Sequence, residues 1–467
     1  MKEMRLAQKT ERKQRQVDML HGSLLDKILL FALPLAASSI LQQLFNSADM
    51  AVVGHFAGHQ ALAAVGGNTA AINLLTNLFI GLSVGANVVI GHFIGLGRKK
   101  EIRDVVHTVI SVALISGGIL LVLGQFLAKP ILLVTDAPLD VLDLATVYLR
   151  IYFLGMPFFM LYNFGSAILR SKGDTKRPLY ALLLAGVINV GLNLLLVIVF
   201  RLGVAGVGIA TVLSNSVSAG LILYFLCHEE ETFRLDLHQL SLNKDHFRRV
   251  FLIGAPAGLQ GMVFSLSNVF IQTAINSFGS DAMAGSAAAV NFEFFTYFVV
   301  SAFSQAAVTF TSQNFGAGDY QRCRRIFRIC TIGALIGTLC MSMTFVLFRA
   351  PLIRIYTPDP GAVEYALVRV LRVEIFACLP SLYEVPGSAL RGMNHSLLPA
   401  VLTVFGSCVL RVAWLFTVFQ WSSSFEMLLN VYPVTWVTTA VLVLFSYFFI
   451  RRREFQGPGP KLESKEG

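Results

Sequence analysis

The sequence is short of charge. Only 14% of its 467 residues are Asp, Glu, Lys or Arg, against about 25% in soluble domains. With 55% hydrophobic residues and a mean hydropathy of +0.67, this scarcity excludes an ordinary soluble protein. The strict alternation of a spanning β-barrel is also missing. The apolar runs are continuous, so helices are the spanning element. Enzyme signatures are missing as well: there is no GxxxxGK[ST] phosphate loop, no HExxH and no GxSxG. His55, His59 and His92 sit near span ends without metal spacing. The missing phosphate loop argues against an ATP-driven pump and for an ion gradient as energy source. No enzymatic activity and no cofactor are expected. Cys227, Cys323, Cys330, Cys340, Cys378 and Cys408 form no CxxC pair and read as small apolar residues in or beside helices.

What the chain has is hydrophobic length. A crossing needs about 20 apolar residues, and twelve such stretches are expected at 28–56, 61–94, 104–127, 141–168, 178–200, 204–227, 248–278, 283–312, 325–348, 361–387, 397–420 and 426–450. The fold class is therefore an all-α integral membrane protein. No cleavable signal peptide is expected, because residues 1–26 are polar and basic and the first apolar run is long enough to span. The net charge of +10 does not point to nucleic acid, because it is concentrated in alternate connections. Arg98, Lys99, Lys100 and Arg103 form one cluster, and Arg170, Lys172, Lys176 and Arg177 the next. Arg234, Lys244, Arg248 and Arg249 follow, then Arg322, Arg324, Arg325 and Arg328, then Arg451, Arg452 and Arg453. The other connections hold only Lys129, Arg201, Arg349 and Arg354. This positive-inside pattern predicts a multi-pass protein of the cytoplasmic membrane with both termini in the cytoplasm.

The hydrophobic pattern is written twice, about 222 residues apart. Leu30, Pro34, Asn46 and Phe56 recur as Leu252, Pro256, Asn268 and Phe278, and Gly95, Gly97 and Arg103 as Gly316, Gly318 and Arg324. The run from Leu161 through Gly165, Ser166 and Ala167 to Arg170 and Pro178 recurs from Leu382 through Gly387, Ser388 and Ala389 to Arg391 and Pro399. The expected organisation is a basic cytoplasmic segment 1–27, a first six-helix lobe 28–227, a cytoplasmic linker 228–247, a second six-helix lobe 248–450 and a disordered cytoplasmic tail 451–467. Two such pseudo-symmetric lobes can rock against each other, as transporters do. Pro34 and Pro256, near the cytoplasmic ends of the first and seventh spans, read equally as hinges or as static kinks. The acidic opening of the linker, Glu229 to Glu231, reads as a solvated connector.

The copies differ in their intramembrane polar groups. Asp49 shares one face of the first span with Gln42 and Asn46, and it aligns with Ile271. A carboxylate there costs about 2.5–3.5 kcal/mol on insertion scales, so it should face the interior and have a partner. Asn189 and Asn193, one turn apart in the fifth span, align with Leu410 and Trp414, and Thr211 aligns with Tyr432. These oxygens suit a hard monovalent cation, or can surround a carboxylate that takes a proton. One Na⁺ would neutralise Asp49 and occupy the neutral oxygens together. The second copy has its own charges: Glu293 in an aromatic stretch, and Glu374 and Arg411 at similar depth. Glu374 and Arg411 are expected to form a structural ion pair, while Arg369 and Arg372 are expected to snorkel outward. Gln42, Asn46, Met156, Phe159, Gln260, Asn268, Glu293, Phe294 and Tyr297 are candidates for a substrate cavity, since aromatic faces attract cations and Met surfaces adapt.

Four stretches together resemble a multidrug and toxic compound extrusion (MATE) transporter, on the bacterial, DinF-like side. They are PLAASSILQQLFNSADMAVVGHFAG, GSAILRSKGDTKRP, NVGLNLLLVIVFRLGVAGVGIATVLSN and PGSALRGMNHSLLP, within a resemblance covering roughly residues 20–450. It implies two six-helix lobes around a central cavity, and export of small organic, often cationic, compounds in exchange for Na⁺ or H⁺. A monomer in the lipid bilayer is expected. The cation ligands of such prokaryotic transporters map to Asp49, Asn189, Asn193 and Thr211, with Asn193 standing where those members carry Asp. A second branch places an acid in the seventh span, where this chain has Phe264. A flippase of lipid-linked substrates, or a carrier of one specific metabolite in either direction, is the alternative.

Overall fold

The computed structural model describes residues 17–134, 139–356 and 359–455. The basic segment 1–16 and the tail from residue 456 lie outside the described residues. Among the described residues there are helices and turns and no strand. The long elements are α1 (Leu25–Phe56), α2 (Thr69–Gly95) and α3 (Lys99–Val134), then α4, a pair of helices Leu139–Leu154 and Met156–Ser171. They continue with α5 (Lys176–Asn193, prolonged by the π turn Leu194–Val199), α6 (Gly203–Cys227), α7 (Lys244–Asn276), α8 (Ser280–Gly316) and α9 (Tyr320–Leu347). Ten described helices are long and apolar enough to cross a membrane, and the two parts of α4, bent by 48°, make an eleventh. The expected tenth span is interrupted. Helix Pro360–Arg369 runs into a π turn, Val370–Glu374, then hydrogen-bonded turns through Pro380, then helix Ser381–Gly392. With this segment as α10, α11 (Leu397–Thr403, π turn Val404–Val409, Leu410–Phe416) and α12 (Val431–Glu454) complete twelve.

The repeat is visible in how helices stop. Gly97 and Gly318 take positive φ, +68° and +75°, two residues beyond the ends of α2 and α8. In both places the next amide reaches back to the last turn, Arg98 N to Phe93 O at 3.1 Å and Asp319 N to Asn314 O at 2.9 Å. A left-handed residue here satisfies carbonyls that the helix leaves unpaired, and it turns the chain into the basic connection.

The chain divides into two compact units. One comprises the described residues through Asp18 together with Leu33–Gly258, and the other Met19–Ala32 together with the described residues from Leu259 onward. Each unit therefore includes part of a helix that continues into the other. The changeover falls between Ala32 and Leu33 in α1 and between Gly258 and Leu259 in α7. Pro34 and Pro256 lie beside these points, where a missing amide weakens the helix ladder. In the first unit α2 crosses the start of α7 with backbones in contact, and a side chain at Gly81, Gly254 or Gly258 would strike the opposing main chain. Small residues four apart on both helices allow this approach. In the second unit the core gathers Ile271, Val373, Tyr383, Leu428, Tyr432 and Trp436.

The linker is more than a solvated connector. Glu229 is buried and pairs with Lys172 at 2.6 Å and with Arg177, which also pairs with Asp174. Further along, Asp236 N donates to His107 Nε2 at 3.1 Å and Arg103 Nη2 to Gln239 Oε1 at 2.9 Å, so the linker lies along the start of α3. Burial opposes ionisation of Glu229, but Lys172 and Arg177 outweigh it and hold its carboxyl below the ordinary range. A carboxyl with a depressed folded-state pKa stabilises above its unfolded pKa and loses that contribution as pH falls through the folded value. Glu229→Gln, which strands buried cations, should cost about 3–5 kcal/mol at neutral pH. The deficit in thermal unfolding should hold from neutrality down to about pH 5 and shrink below about pH 4. An equal deficit at every pH would contradict this assignment.

Candidate ion-coupling site

The site starts from a close approach of α1 and α5. A Cβ on Gly186 would land on the Phe45 ring, so only glycine lets the two helices come this near. Asp49 lies one turn beyond Phe45 on α1, and Asn189 and Asn193 lie one and two turns beyond Gly186 on α5. The contact at Gly186 therefore carries the three polar groups to one level. Asn193 Nδ2 donates to Asp49 Oδ1 and also to Asn189 Oδ1 at 3.3 Å. Asn193 is fully buried and Asn189 is 5% exposed. Asn193 Oδ1 is a buried acceptor with no hydrogen-bond donor. An uncompensated buried oxygen beside a carboxylate is what a bound cation, or a proton shared with it, would satisfy.

Thr211 is not hydrogen-bonded to this trio. Its hydroxyl donates to Val207 O at 3.0 Å on its own helix, which leaves its oxygen able to accept. Tyr148 and Tyr152, from the first part of α4, lie close enough to interact electrostatically with Asp49. Neither tyrosine stands out in the sequence as a site residue, although their spacing sets both on one helix face. Just beyond Asn193, α5 loosens into its π turn, with Phe200 N bonded to Leu195 O. π turns often mark functional positions in helices. Among the described residues no His, Cys, Asp and Glu cluster has the makings of a multivalent metal site.

The second unit has different chemistry at the equivalent positions. Ile271, the counterpart of Asp49, is buried in its apolar core together with Tyr432, the counterpart of Thr211. The expected Glu374–Arg411 pair does not form. Arg411 donates from Nη1 to Asn268 Oδ1 at 3.2 Å and lies over the rings of Tyr432 and Phe264, at 4.9 and 5.4 Å. Glu374 accepts from Thr296 at 3.0 Å. The carboxylate that does find an arginine is Glu293, held by Arg369 through Nε at 2.6 Å and Nη2 at 3.0 Å. Arg369 is thus buried and paired rather than snorkelling, while Arg372 meets Glu426 at 3.3 Å. Glu374 belongs to the π turn of α10, and Arg411 follows that of α11. Such turns rotate the residues beyond them off the face that a regular helix would give.

The cavity candidates divide. Gln42, Asn46, Asn268, Phe294 and Tyr297 are exposed, and Phe159 is half-buried. Met156 is 1% exposed and belongs to the packed interior, so it is withdrawn from the cavity. Gln260 is buried and accepts from Arg391 at 2.7 Å, and Glu293 is already neutralised by Arg369. Gly186→Ala should push α1 from α5 and cost about 1–3 kcal/mol by overpacking. Adding Phe45→Ala should recover part of that loss, a coupling read from thermal unfolding of the two single variants and the double. Strict additivity would show that the two residues do not meet.

The comparisons with known proteins agree with this architecture. The family model MatE matches twice, over residues 34–195 and 256–417, once in each copy of the repeat. Relatives include a probable multidrug resistance protein NorM of Thermotoga maritima, 27% identical over 381 residues, covering 81% of this chain and 82% of the relative. Another is a probable multidrug resistance protein YoeA of Bacillus subtilis, 24% identical, covering 91% of this chain and 94% of the relative. A FAD transporter of Shewanella oneidensis is 26% identical, covering 74% and 79%. Among solved structures, an outward-facing multidrug resistance MATE family transporter of the MOP superfamily superposes with a TM-score of 0.89 at 20% identity, over 95% of this chain and 99% of the other. The chain belongs to the MatE family of MATE transporters and is a multi-pass membrane transporter, not an enzyme.

Proposed function

We propose that the protein is a secondary active antiporter that exports small organic compounds, cationic ones among them, in exchange for Na⁺ or H⁺ by alternating access. The observation that carries this reading is the Asp49–Asn193–Asn189 cluster, with its uncompensated buried oxygen and its apolar counterpart at Ile271. Packing in one copy tolerates isoleucine where the other keeps a carboxylate, so the carboxylate has a role beyond packing. Asp49 binds the coupling ion, Asn189 and Asn193 supply neutral oxygens, and Thr211 completes the set when α6 brings its hydroxyl inward. With one negative charge and several neutral oxygens, Na⁺ satisfies the whole set at once, whereas a proton neutralises Asp49 alone. The exporter acts as a monomer in the cytoplasmic membrane of a bacterium with both termini inside, as the basic connections favour. The relative named for FAD transport supports a second reading, in which the cargo is one defined metabolite.

The test uses inside-out reconstituted vesicles, a panel of organic cations and anions, and separately imposed Na⁺ and H⁺ gradients. Parental protein should accumulate at least one panel compound under one of the gradients. Asp49→Asn should fall to about a tenth or less of that rate, since its charge cannot be replaced by a neutral amide, while inserting and purifying normally. Parental rates from Asp49→Asn would reject the assignment. Asn193→Asp should raise cation affinity or shift coupling towards protons, because two adjacent carboxylates raise the pKa of one. The readout is transport against Na⁺ at fixed pH and against pH at fixed Na⁺.

A further inference from the structure

Arg411 is a buried cation of the second unit without an ionic partner among the described residues. It is 3% exposed, and its Nε is buried without a hydrogen-bond partner. Its one side-chain hydrogen bond goes to a neutral amide, Asn268, and no ion pair among the described residues includes it. The neighbouring arginine makes the contrast. Arg369 has a two-pronged carboxylate partner in Glu293, whereas Arg411 has no carboxylate, only the Asn268 amide and the faces of Tyr432 and Phe264. Aromatic faces offset part of the cost of a buried cation, but they do not neutralise it. Nor does the repeat require the charge, because the first copy carries Val190 at this position. Asn268, which holds the guanidinium from α7, is exposed. A polar side chain in a span avoids lipid, so its open side argues for an aqueous approach to Arg411 from this face.

We propose that the second unit contains an organic-anion site, with Arg411 as the anchoring cation for a carboxylate, sulfonate or phosphate group carried on an aromatic body. The oxyanion takes the uncommitted Nε–H together with Nη2–H on the same edge, the forked contact that Arg369 makes with Glu293, while Nη1 stays on the Asn268 oxygen. Tyr432 and Phe264 then flank both the guanidinium and the ring attached to the oxyanion. This inference deepens the export reading by naming a substrate class, and it rests on that reading for its physiological sense. The two units then differ in sign: a carboxylate that takes a cation in the first, and a guanidinium that takes an anion in the second.

Two dyes with one ring system test it, fluorescein as the anion and rhodamine 6G as the cation. Binding to the purified full-length protein in detergent is measured by fluorescence anisotropy with the micelle signal subtracted. Fluorescein should bind the parental protein, and Arg411→Gln should weaken it about tenfold or more, with Arg411→Lys intermediate and rhodamine 6G changed by less than about twofold. Should Arg411→Gln not stay monodisperse, Phe264→Glu decides. A carboxylate on that side chain pairs with Arg411, so it should raise the unfolding temperature and abolish fluorescein binding. Absence of fluorescein binding to the parental protein, or binding that survives both Arg411→Gln and Phe264→Glu, overturns the proposal. The assay needs no gradient, so its failure is separate from failure of the export reading, which would appear as no gradient-driven transport of any panel compound.

Discussion

The hydrogen bond from Asn193 to Asp49 is the contact on which the functional account depends. It joins α1 to α5, and it exists because Gly186 lets the Phe45 ring sit against bare backbone. A bulkier residue would hold the helices apart and leave a lone carboxylate in a span, with its full insertion cost and no partner. The asparagine also limits what the site can be. Its amide nitrogen serves Asp49 and Asn189, so its oxygen is left over. At this site one buried acceptor, Asn193 Oδ1, is therefore left without a donor, and a bound ion would supply its partner.

A protein built from two copies of one pattern offers its own control. Where both copies keep a feature, as in the left-handed residues at Gly97 and Gly318, the feature serves the fold. Where one copy departs, the departure separates function from packing. Asp49 against Ile271 is the clearest such contrast in the first unit, and Arg411 against Val190 in the second. Each unit thus keeps intramembrane charge that its counterpart does without. The prolines next to the changeover points in α1 and α7 give each shared helix a weak place near which one unit hands over to the other.

Much of the fold was legible in the sequence, because continuous apolar runs and alternating basic connections leave little choice about spans. Asp49 was legible for the same reason, as a charge that a membrane does not tolerate without cause. Three things were not. The break in α10 comes from a π turn and successive tight turns ending at Pro380, and average hydropathy does not see it. The partner of Arg411 was misjudged because depth along a helix fixes height but not direction, and π turns before or around both Glu374 and Arg411 rotate them off the regular face. Glu229 read as solvent-facing because its partners, Lys172 and Arg177, lie more than fifty residues earlier in the chain.

The central claim is that Asp49 carries the one charge that the coupling ion neutralises. Ion stoichiometry on purified protein tests it without any assumption about substrate. Bound ²²Na⁺ is measured by equilibrium dialysis at fixed pH, and bound protons by titration at fixed Na⁺, for the parental chain and for Asp49→Asn. The account predicts that the parental chain holds about one more monovalent cation, Na⁺ or H⁺, than the variant, because removing a carboxylate removes one ionisable charge. Equal binding of both ions by the two proteins would contradict it.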